Sequence, residues 1–119
     1  AVSRHTTWHG RRVRALRISD PADIALLEAI SRGEFTTAGF RNRDLRRLLF
    51  PSKPNLSVVE TRRLSARVSR LLRMLRAHGV IRKIQRSHRY KLSPKGHKLT
   101  AALFAARNAT IKQLIEQAE

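Results

Sequence analysis

Residues 56–92 read LSVVETRRLSARVSRLLRMLRAHGVIRKIQRSHRYKL, and this stretch decides the fold. Its first part repeats apolar residues at intervals of three and four, which is the spacing of one buried stripe along a helix. Gly79 then ends the pattern, as glycine commonly does just beyond a helix. We therefore predict a long helix from Leu56 or Ser57 to Ala77. Its buried stripe consists of Leu64, Val68, Leu71, Leu72 and Leu75.

The side of this helix opposite the leucines is rich in arginine. Successive residues turn by about 100° around a helix, which places most of its six arginines away from the apolar stripe. Small side chains on the same side leave the helix backbone open to close approach. A guanidinium group binds phosphate, or O6 and N7 of guanine, through two parallel hydrogen bonds. The candidate nucleic-acid contacts on this helix are Arg62, Arg63, Ala66, Arg67, Ser69, Arg70 and Arg73.

The segment after Gly79 is predicted to form a basic β-hairpin. Residues 80–86 and 89–92 are rich in strand-forming residues and flank Ser87-His88. Because side chains alternate between the two faces of a strand, Ile84, Tyr90 and Leu92 should point inward and Arg89 and Lys91 outward.

Two short helices are predicted before the long one. Ser19-Asp20-Pro21 is typical of a helix start, and Gly33 is expected to end that helix. Asn42 is expected to cap the second helix, with a turn between Pro51 and Pro54 after it. The predicted buried residues are Ile24, Leu26, Leu27 and Ile30 in the first helix, and Leu45, Leu48 and Leu49 in the second.

A last helix is predicted from Ser93-Pro94 to about Gln117, with two apolar stripes. One stripe is enough to pack on the domain. The other indicates a homodimer through this helix or contact with a further domain; a helix buried on both sides within its own domain is the alternative. The packing stripe contains Leu99, Leu103, Ala106 and Leu114, and the candidate partner contacts are Phe104, Ile111 and Ile115.

Charge indicates the class of partner. Lysine and arginine number 26 against eight aspartate and glutamate, a net charge of +18. From Thr61 to Ile115 there is no acidic residue and there are 15 basic ones. Such one-sided charge repels itself in a compact fold, which favours a polyanionic partner: DNA, RNA or an anionic membrane surface.

Several other classes of protein are disfavoured. The chain has no cysteine for disulfides or thiolate metal sites, and no apolar run approaches the ~20 residues of a membrane span. His5 and His9 have the spacing of a helical metal pair but no third ligand. No phosphate-binding glycine loop or catalytic constellation occurs. We therefore expect no enzyme activity, cofactor, metal or membrane partner, and a cytoplasmic location, at the nucleoid if the protein is bacterial.

The amino terminus, residues 1–17, reads as a basic arm with little structure of its own. Arg11, Arg12 and Arg14 are candidate arm contacts in a DNA minor groove. The alternative is a tail that adds only salt-dependent attraction. Ala1 at the start fits either a removed initiator methionine or a fragment of a longer protein.

Two motifs resemble winged helix-turn-helix proteins of the MarR-like kind. They are Val68–Ile81 (VSRLLRMLRAHGVI) and Tyr90–His97 (YKLSPKGH). The resemblance covers about Asp20 to Leu103, and it implies that the arginines from Arg62 to Arg70 face a DNA major groove. It also implies that the hairpin is a wing whose tip touches the DNA backbone or minor groove, through Arg86, His88 and Arg89. MarR-type repressors seldom carry this much positive charge, which argues against simple ligand-responsive repression.

The predicted fold is therefore α+β and mostly helical, a winged helix-turn-helix with a two-stranded wing and a long C-terminal helix. The expected division is a basic arm at residues 1–17, a winged-helix domain at 18–94 and the C-terminal helix at 95–119. Double-stranded DNA binding, with a role in transcription regulation, is the first hypothesis. A structural RNA-binding or ribosome-associated protein is the second, supported by a pI of 12.0. A protein-interaction adaptor is the third.

Overall fold

The computed structural model describes residues 6–8, 11–17, 19–51 and 56–118, with no description of the side chains at 6–8, 11 and 12. Within these ranges the chain is α+β and mostly helical, as predicted. It forms two antiparallel β-hairpins, one at each end of the three-helix segment. The elements are β1 (Thr6–Trp8), β2 (Arg11–Val13), α1 (Pro21–Ile30), α2 (Asn42–Leu49), α3 (Val58–Ala77), β3 (Ile81–Lys83), β4 (Tyr90–Leu92) and α4 (Pro94–Ala118).

Helix α1 begins where the sequence predicts and ends earlier. The Asp20 carboxylate accepts the Ala22 N–H at 2.9 Å, and Pro21 takes the first helical position. The helix ends at Ile30 rather than near Gly33. The Ser31 hydroxyl donates to the carbonyl oxygen of Glu28, and such local bonds compete with continued helix.

Helix α2 corrects the prediction that Asn42 is its cap. Arg41 is the capping residue, and its N–H donates to the Asp44 carboxylate at 2.7 Å. Asn42 is the first helical residue, so its side chain is available to α3. Leu45 is fully buried, and Leu48 and Leu49 pack at the edge of the core. Pro54, expected to close the following turn, lies outside the described residues.

Helix α3 has the predicted bounds to within two residues. The Ser57 hydroxyl accepts the Glu60 N–H at 3.1 Å and so satisfies one of the unpaired N–H groups of the first turn. At the other end Gly79 adopts φ +73°, a left-handed conformation that glycine adopts without strain. This allows the Val80 N–H to bond the Leu75 carbonyl at 2.9 Å. The chain then turns directly into β3.

The second hairpin, β3–β4, pairs Ile81 with Leu92 and is shorter than predicted. Phe40, fully buried, forms a bridge to its inner edge: the N–H of Phe40 bonds the Tyr90 carbonyl and the reverse bond is also made, each at 2.8 Å. The hairpin is therefore held to the segment between α1 and α2. Leu92 is buried, and Ile84 and Tyr90 are half-buried, on the predicted inner face.

The core lies between α1, α2, α3 and the second hairpin. Three elements supply most of it, since α1, α3 and the chain from Val80 to Leu92 each bury two or more apolar side chains. Each fully buried leucine or isoleucine contributes roughly 1.5–3 kcal/mol. None of the described helices is long and apolar enough to cross a membrane. Core members include Leu26, Leu27, Ile30, Phe40, Leu45, Val68, Leu72, Leu75, Val80, Ile81 and Leu92.

The prediction of an arm with little structure is wrong for the described part of residues 1–17. β1 and β2 form an antiparallel hairpin in which Thr6 pairs with Val13. Val13 and Leu16 are buried in the core, and the Cα atoms of both strands come within 8 Å of α3. The sequence shows no clear periodicity here. Among the described side chains of the segment, those that attach it to the core are Val13 and Leu16. The core thus crosses the boundary expected at residue 18.

Helix α4 also differs from one expectation. Its first turns pack on the domain through Leu99 and Leu103, which confirms the first half of the predicted packing stripe, whereas Ala106 and Leu114 of the same stripe are exposed. From Ala105 to Ala118 every described residue is exposed. The alternative of a helix buried on both sides by its own domain is therefore wrong. Among the described residues, Glu28 of α1 pairs with Arg107, but no side chain from Ala105 to Ala118 is buried.

Candidate nucleic-acid interface

One open face of α3 carries most of the predicted contact residues. Val68, Leu72 and Leu75 are buried on one side of the helix. The opposite side is solvent-exposed at all the sequence-predicted positions from 62 to 70, while Arg73 is half-buried. The exposed residues are Arg62, Arg63, Ala66, Arg67, Ser69 and Arg70.

The positive charge on this face is not neutralised from within the described residues. The described residues form the ion pairs Arg14–Asp23, Arg32–Glu34 and Arg107–Glu28, and none of these three uses an arginine between Arg62 and Arg73. Glu60 is the one acidic residue in α3. It lies in the first turn, and its carboxylate accepts a hydrogen bond from the hydroxyl of the capping Ser57. Clustered like charges without counter-charges make a surface suited to an anion.

Asn42 fixes α3 relative to α2, a role that the sequence did not reveal. Its side-chain amide donates to the Ser65 carbonyl at 2.9 Å and to the Ser69 hydroxyl at 3.1 Å. Ser69 was predicted as an open contact residue. It is exposed, but its hydroxyl is already engaged with Asn42, so its first role is to hold the helix pair.

Two aromatic rings orient arginines at the edges of the α3 face. The Arg67 guanidinium carbon lies 4.6 Å from the centroid of Phe50, and that of Arg76 lies 5.9 Å from the centroid of Tyr90. A cation over a ring face is attracted by about 0.5–1 kcal/mol at an exposed site. The two rings restrict the positions of both guanidinium groups.

Helix α2 adds arginines that the sequence analysis did not select. Arg43 and Arg47 are exposed on the face opposite Leu45, and Arg46 is half-buried beside them. Together with Phe50 these three arginines line a cavity of about 160 Å³ between α2 and the start of α3. The sequence did contain a signal for this arginine cluster, because Arg43, Arg46 and Arg47 have the i, i+3, i+4 spacing of residues on one helix face.

The second hairpin presents further cations. Arg86 and His88 are exposed at its tip, and Arg86 has the left-handed φ of +61°, whereas Arg89 is half-buried. Arg82 and Lys91 lie directly opposite each other across the strands, both exposed. Like charges at such a position destabilise a hairpin unless an anion approaches them.

Arg14, a predicted arm contact, is held by the protein itself. Its guanidinium group forms two hydrogen bonds with the buried Asp23 carboxylate, at 2.7 and 2.9 Å. The Arg17 N–H donates to the same carboxylate at 2.8 Å, and the His78 Nε2 donates to the Arg14 carbonyl at 2.8 Å. Arg14 therefore anchors the first hairpin to α1 and to the end of α3. The side chains of Arg11 and Arg12 lie outside the described residues.

Burial alone would raise the pKa of Asp23, but hydrogen bonds from Arg14 and Arg17 and the charge of Arg14 hold it below its ordinary value. A carboxyl whose pKa is lower in the folded state stabilises the fold above its unfolded-state pKa, about 3.9. That stabilisation is lost as the pH falls through the lower folded-state value.

We expect Asp23→Asn to lower the free energy of unfolding by about 2 kcal/mol at pH 7, because an amide keeps the bond from Arg17 but loses the ionic pair. Because Arg14 is 45% exposed, water solvates its guanidinium group once the ion pair is broken, and this limits the loss of stability. Urea unfolding at pH 7 and pH 3 measures this, and the difference from the wild type should shrink at pH 3. Glu34→Gln, which breaks an exposed pair with Arg32, is the control and should change stability by less than about 0.5 kcal/mol. Equal effects of the two variants would contradict the anchoring role.

The candidate partner contacts on α4 are open to solvent in their distal part. Ile111 and Ile115 are 50% and 57% exposed, and Leu114, predicted on the packing stripe, is 61% exposed. Phe104, nearer the domain, is half-buried. Phe104, Ile111 and Ile115 therefore lie on one side of the helix. Phe104 is partly covered by the domain, whereas the two isoleucines are exposed.

Comparisons with known proteins identified no relative of this chain. No protein-family model, curated protein or solved structure matches the chain. The described residues contain no cluster of three metal-ligating side chains, and the His5 and His9 pair lies outside them.

Proposed function

We propose that this chain is a winged helix-turn-helix protein that binds double-stranded DNA, with α3 as the recognition helix in the major groove and the β3–β4 hairpin as the wing. The observation that carries the proposal is the exposed α3 face, on which arginines surround Ala66 and Ser69 with buried leucines behind them. A helix with its side chains is about 10–12 Å across, and the B-DNA major groove is about 12 Å wide.

The contacts divide into two kinds. Arg62, Arg63 and Arg67 occupy the amino-terminal half of α3, the part that meets base edges in helix-turn-helix complexes, and Arg70 lies just beyond it. Phosphate contacts come from elements around that half: the arginines of α2, the carboxyl end of α3 and the wing. The proposed phosphate contacts are Arg43, Arg47, Arg73, Arg86, His88 and Arg89.

Duplex DNA is favoured over structured RNA by the shape of this surface. The A-form major groove of RNA is deep and narrow, so side chains on a helix do not reach base edges there. A protein that binds RNA through phosphate and shape alone would not need small residues at the centre of an arginine face. Ala66, exposed between Arg62 and Arg70, is such a residue.

Fluorescence anisotropy with a duplex selected from random DNA tests the proposal. The logarithm of the binding constant should fall linearly with the logarithm of salt concentration, by about 0.9 per phosphate neutralised. In competition at one salt concentration, the duplex should displace structured RNA. A tenfold preference for RNA would overturn the proposal in favour of a structural RNA-binding or ribosome-associated protein. We place the protein with its DNA, in the cytoplasm or the bacterial nucleoid.

We also propose that two copies associate through the distal part of α4, so that each reads one half-site. On a chain of +18, the fourteen residues from Ala105 to Ala118 carry two cations and one acid. Two copies can therefore approach here with little charge repulsion, and burial of Ile111, Leu114 and Ile115 favours it.

Replacing Ile111 and Ile115 by aspartate should convert a dimer to the 13.6 kDa monomer, because buried carboxylates without partners are strongly unfavourable. Light scattering coupled to size exclusion measures the mass. The matched control is Ala109→Asp with Gln113→Asp, which adds the same charge to the opposite side of the helix. A wild-type protein that is monomeric at 100-fold over its DNA Kd, or equal masses for the two variants, argues against this interface.

A further inference from the structure

We propose that the amino-terminal hairpin, β1–β2, is a second wing, and that the cleft between it and α3 holds the phosphate strand on the far side of the groove from the β3–β4 wing. The inference rests on the proposed function, because it assumes that α3 occupies a major groove. It assigns a binding role to a segment whose sequence reads as an unstructured arm.

The first observation is that α3 lies between two hairpins. On one flank, Arg76 lies over Tyr90 of β4, and a cleft of about 230 Å³ separates the helix from that strand. On the other flank, β1 and β2 run beside α3, and a cleft of about 350 Å³ lies between them. Arg73 lines both clefts, which places it at the middle of the exposed face between the two hairpins.

Met74 shows that the first hairpin covers one flank of α3. It follows Arg73 and precedes Leu75, so it lies about 100° around the helix from the leucine side. A residue there would be half-exposed on an uncovered helix, yet Met74 is only 2% exposed. It lines the larger cleft together with Val13 of β2, and both belong to the core. The hairpin is therefore packed against this flank by apolar contact.

The second observation is the chemistry of the larger cleft. Its lining contains four arginines and three apolar side chains, and no acidic residue of the described chain lines it. Arg14 is paired with Asp23, so the charge available to a ligand comes from α3. Arginine's planar group suits phosphate oxygens. The lining residues are Val13, Arg14, Arg67, Arg70, Leu71, Arg73 and Met74.

The dimensions of DNA connect these two observations. A helix that fills the major groove has one phosphate strand along each of its flanks. If the β3–β4 wing lies over one strand, an element fixed to the opposite flank lies over the other. The first hairpin is fixed there by Val13, by the Arg14–Asp23 pair and by the bond from His78 to the Arg14 carbonyl. It is positioned before binding and loses little conformational entropy on binding DNA.

Tethered DNA cleavage tests the position of each hairpin. The chain has no cysteine, so single cysteines accept an iron–EDTA reagent at one site each. We would use Thr7→Cys in β1 and His88→Cys at the wing tip, bound to a duplex selected from random DNA. Lys112→Cys on distal α4 is the control for untargeted cutting. We expect Thr7→Cys and His88→Cys to cut opposite strands on the two borders of one major groove, at least fivefold above the control.

The outcomes separate the two proposals. Cutting by His88→Cys without cutting by Thr7→Cys, or cutting of the same strand by both, overturns the second wing and leaves the recognition helix in place. Cutting at control level by both variants, or failure to select any duplex, overturns both proposals. Circular dichroism melting within 3 °C of the wild type confirms that each cysteine variant is folded.

Discussion

Replacing Arg67 and Arg70 by alanine will weaken binding to the selected duplex about thirtyfold or more. Both residues are exposed near the middle of α3, Arg67 at the end of its amino-terminal half and Arg70 just beyond it. Bidentate contacts from arginine to guanine or phosphate are worth about 1–3 kcal/mol each. Even the lower end of that range, about 2 kcal/mol for the pair, corresponds to roughly thirtyfold in Kd. Fluorescence anisotropy at one fixed salt concentration measures the change.

The matched control removes two charges elsewhere. Lys98 and Lys112 are exposed on α4, away from the α3 face, and their replacement by alanine should change Kd by less than about threefold. The loss of the Arg67 contact with Phe50 should cost less than about 1 kcal/mol of stability. Equal weakening by the two double variants would mean that binding depends on net charge alone, and the recognition-helix assignment would then be wrong.

Replacing Gly96 by alanine will destabilise the fold by about 3 kcal/mol, the upper part of the usual range for overpacking. A Cβ atom at this position of α4 would lie 2.0 Å from the Val80 carbonyl oxygen and 2.9 Å from a methyl group of Leu92. The carbonyl has little freedom to move, because it accepts the Ser93 N–H at 3.0 Å. The expected fall in Tm is roughly 10–20 °C, measured by thermal unfolding.

Gly33 provides the control for this substitution. An alanine Cβ there meets no atom within 4 Å, and we expect a stability change within about 0.5 kcal/mol. A Gly96→Ala variant as stable as Gly33→Ala would show that α4 does not approach Val80 and Leu92 this closely. The contact matters for the proposed function because it sets the base of the wing relative to α4.

Much of the helical framework was predictable because its signals are local. Ser57 and Gly79 bound α3 within a few residues, since capping depends on groups only two to four positions away in the chain. The arginine face followed from the same periodicity. Gly96 belongs to a motif that the sequence analysis identified. The reason for a glycine there is the nearby Val80 carbonyl, and only the three-dimensional structure shows that contact.

The amino-terminal segment was predicted wrongly for a physical reason. Its packing uses Val13 and Leu16, two apolar residues without a repeat, and its anchors are distant in the chain: Asp23 is nine positions from Arg14, and His78 is 64. Asn42 was similarly assigned a local capping role, whereas its side chain bonds to α3, 23 and 27 positions away. Partners at such separations have no signature in local sequence.

The sequence by itself therefore determined the helices, the place of the second hairpin and a cationic helix face, because periodicity, caps and charge act over a few residues. The tertiary structure alone decided what surrounds that face. It placed the first hairpin along one flank of α3, turned Asn42 toward Ser69 and left Ile111 and Ile115 exposed. Those outcomes depend on which apolar surfaces find one another when the chain collapses, and burial is set by the whole chain rather than by any one segment.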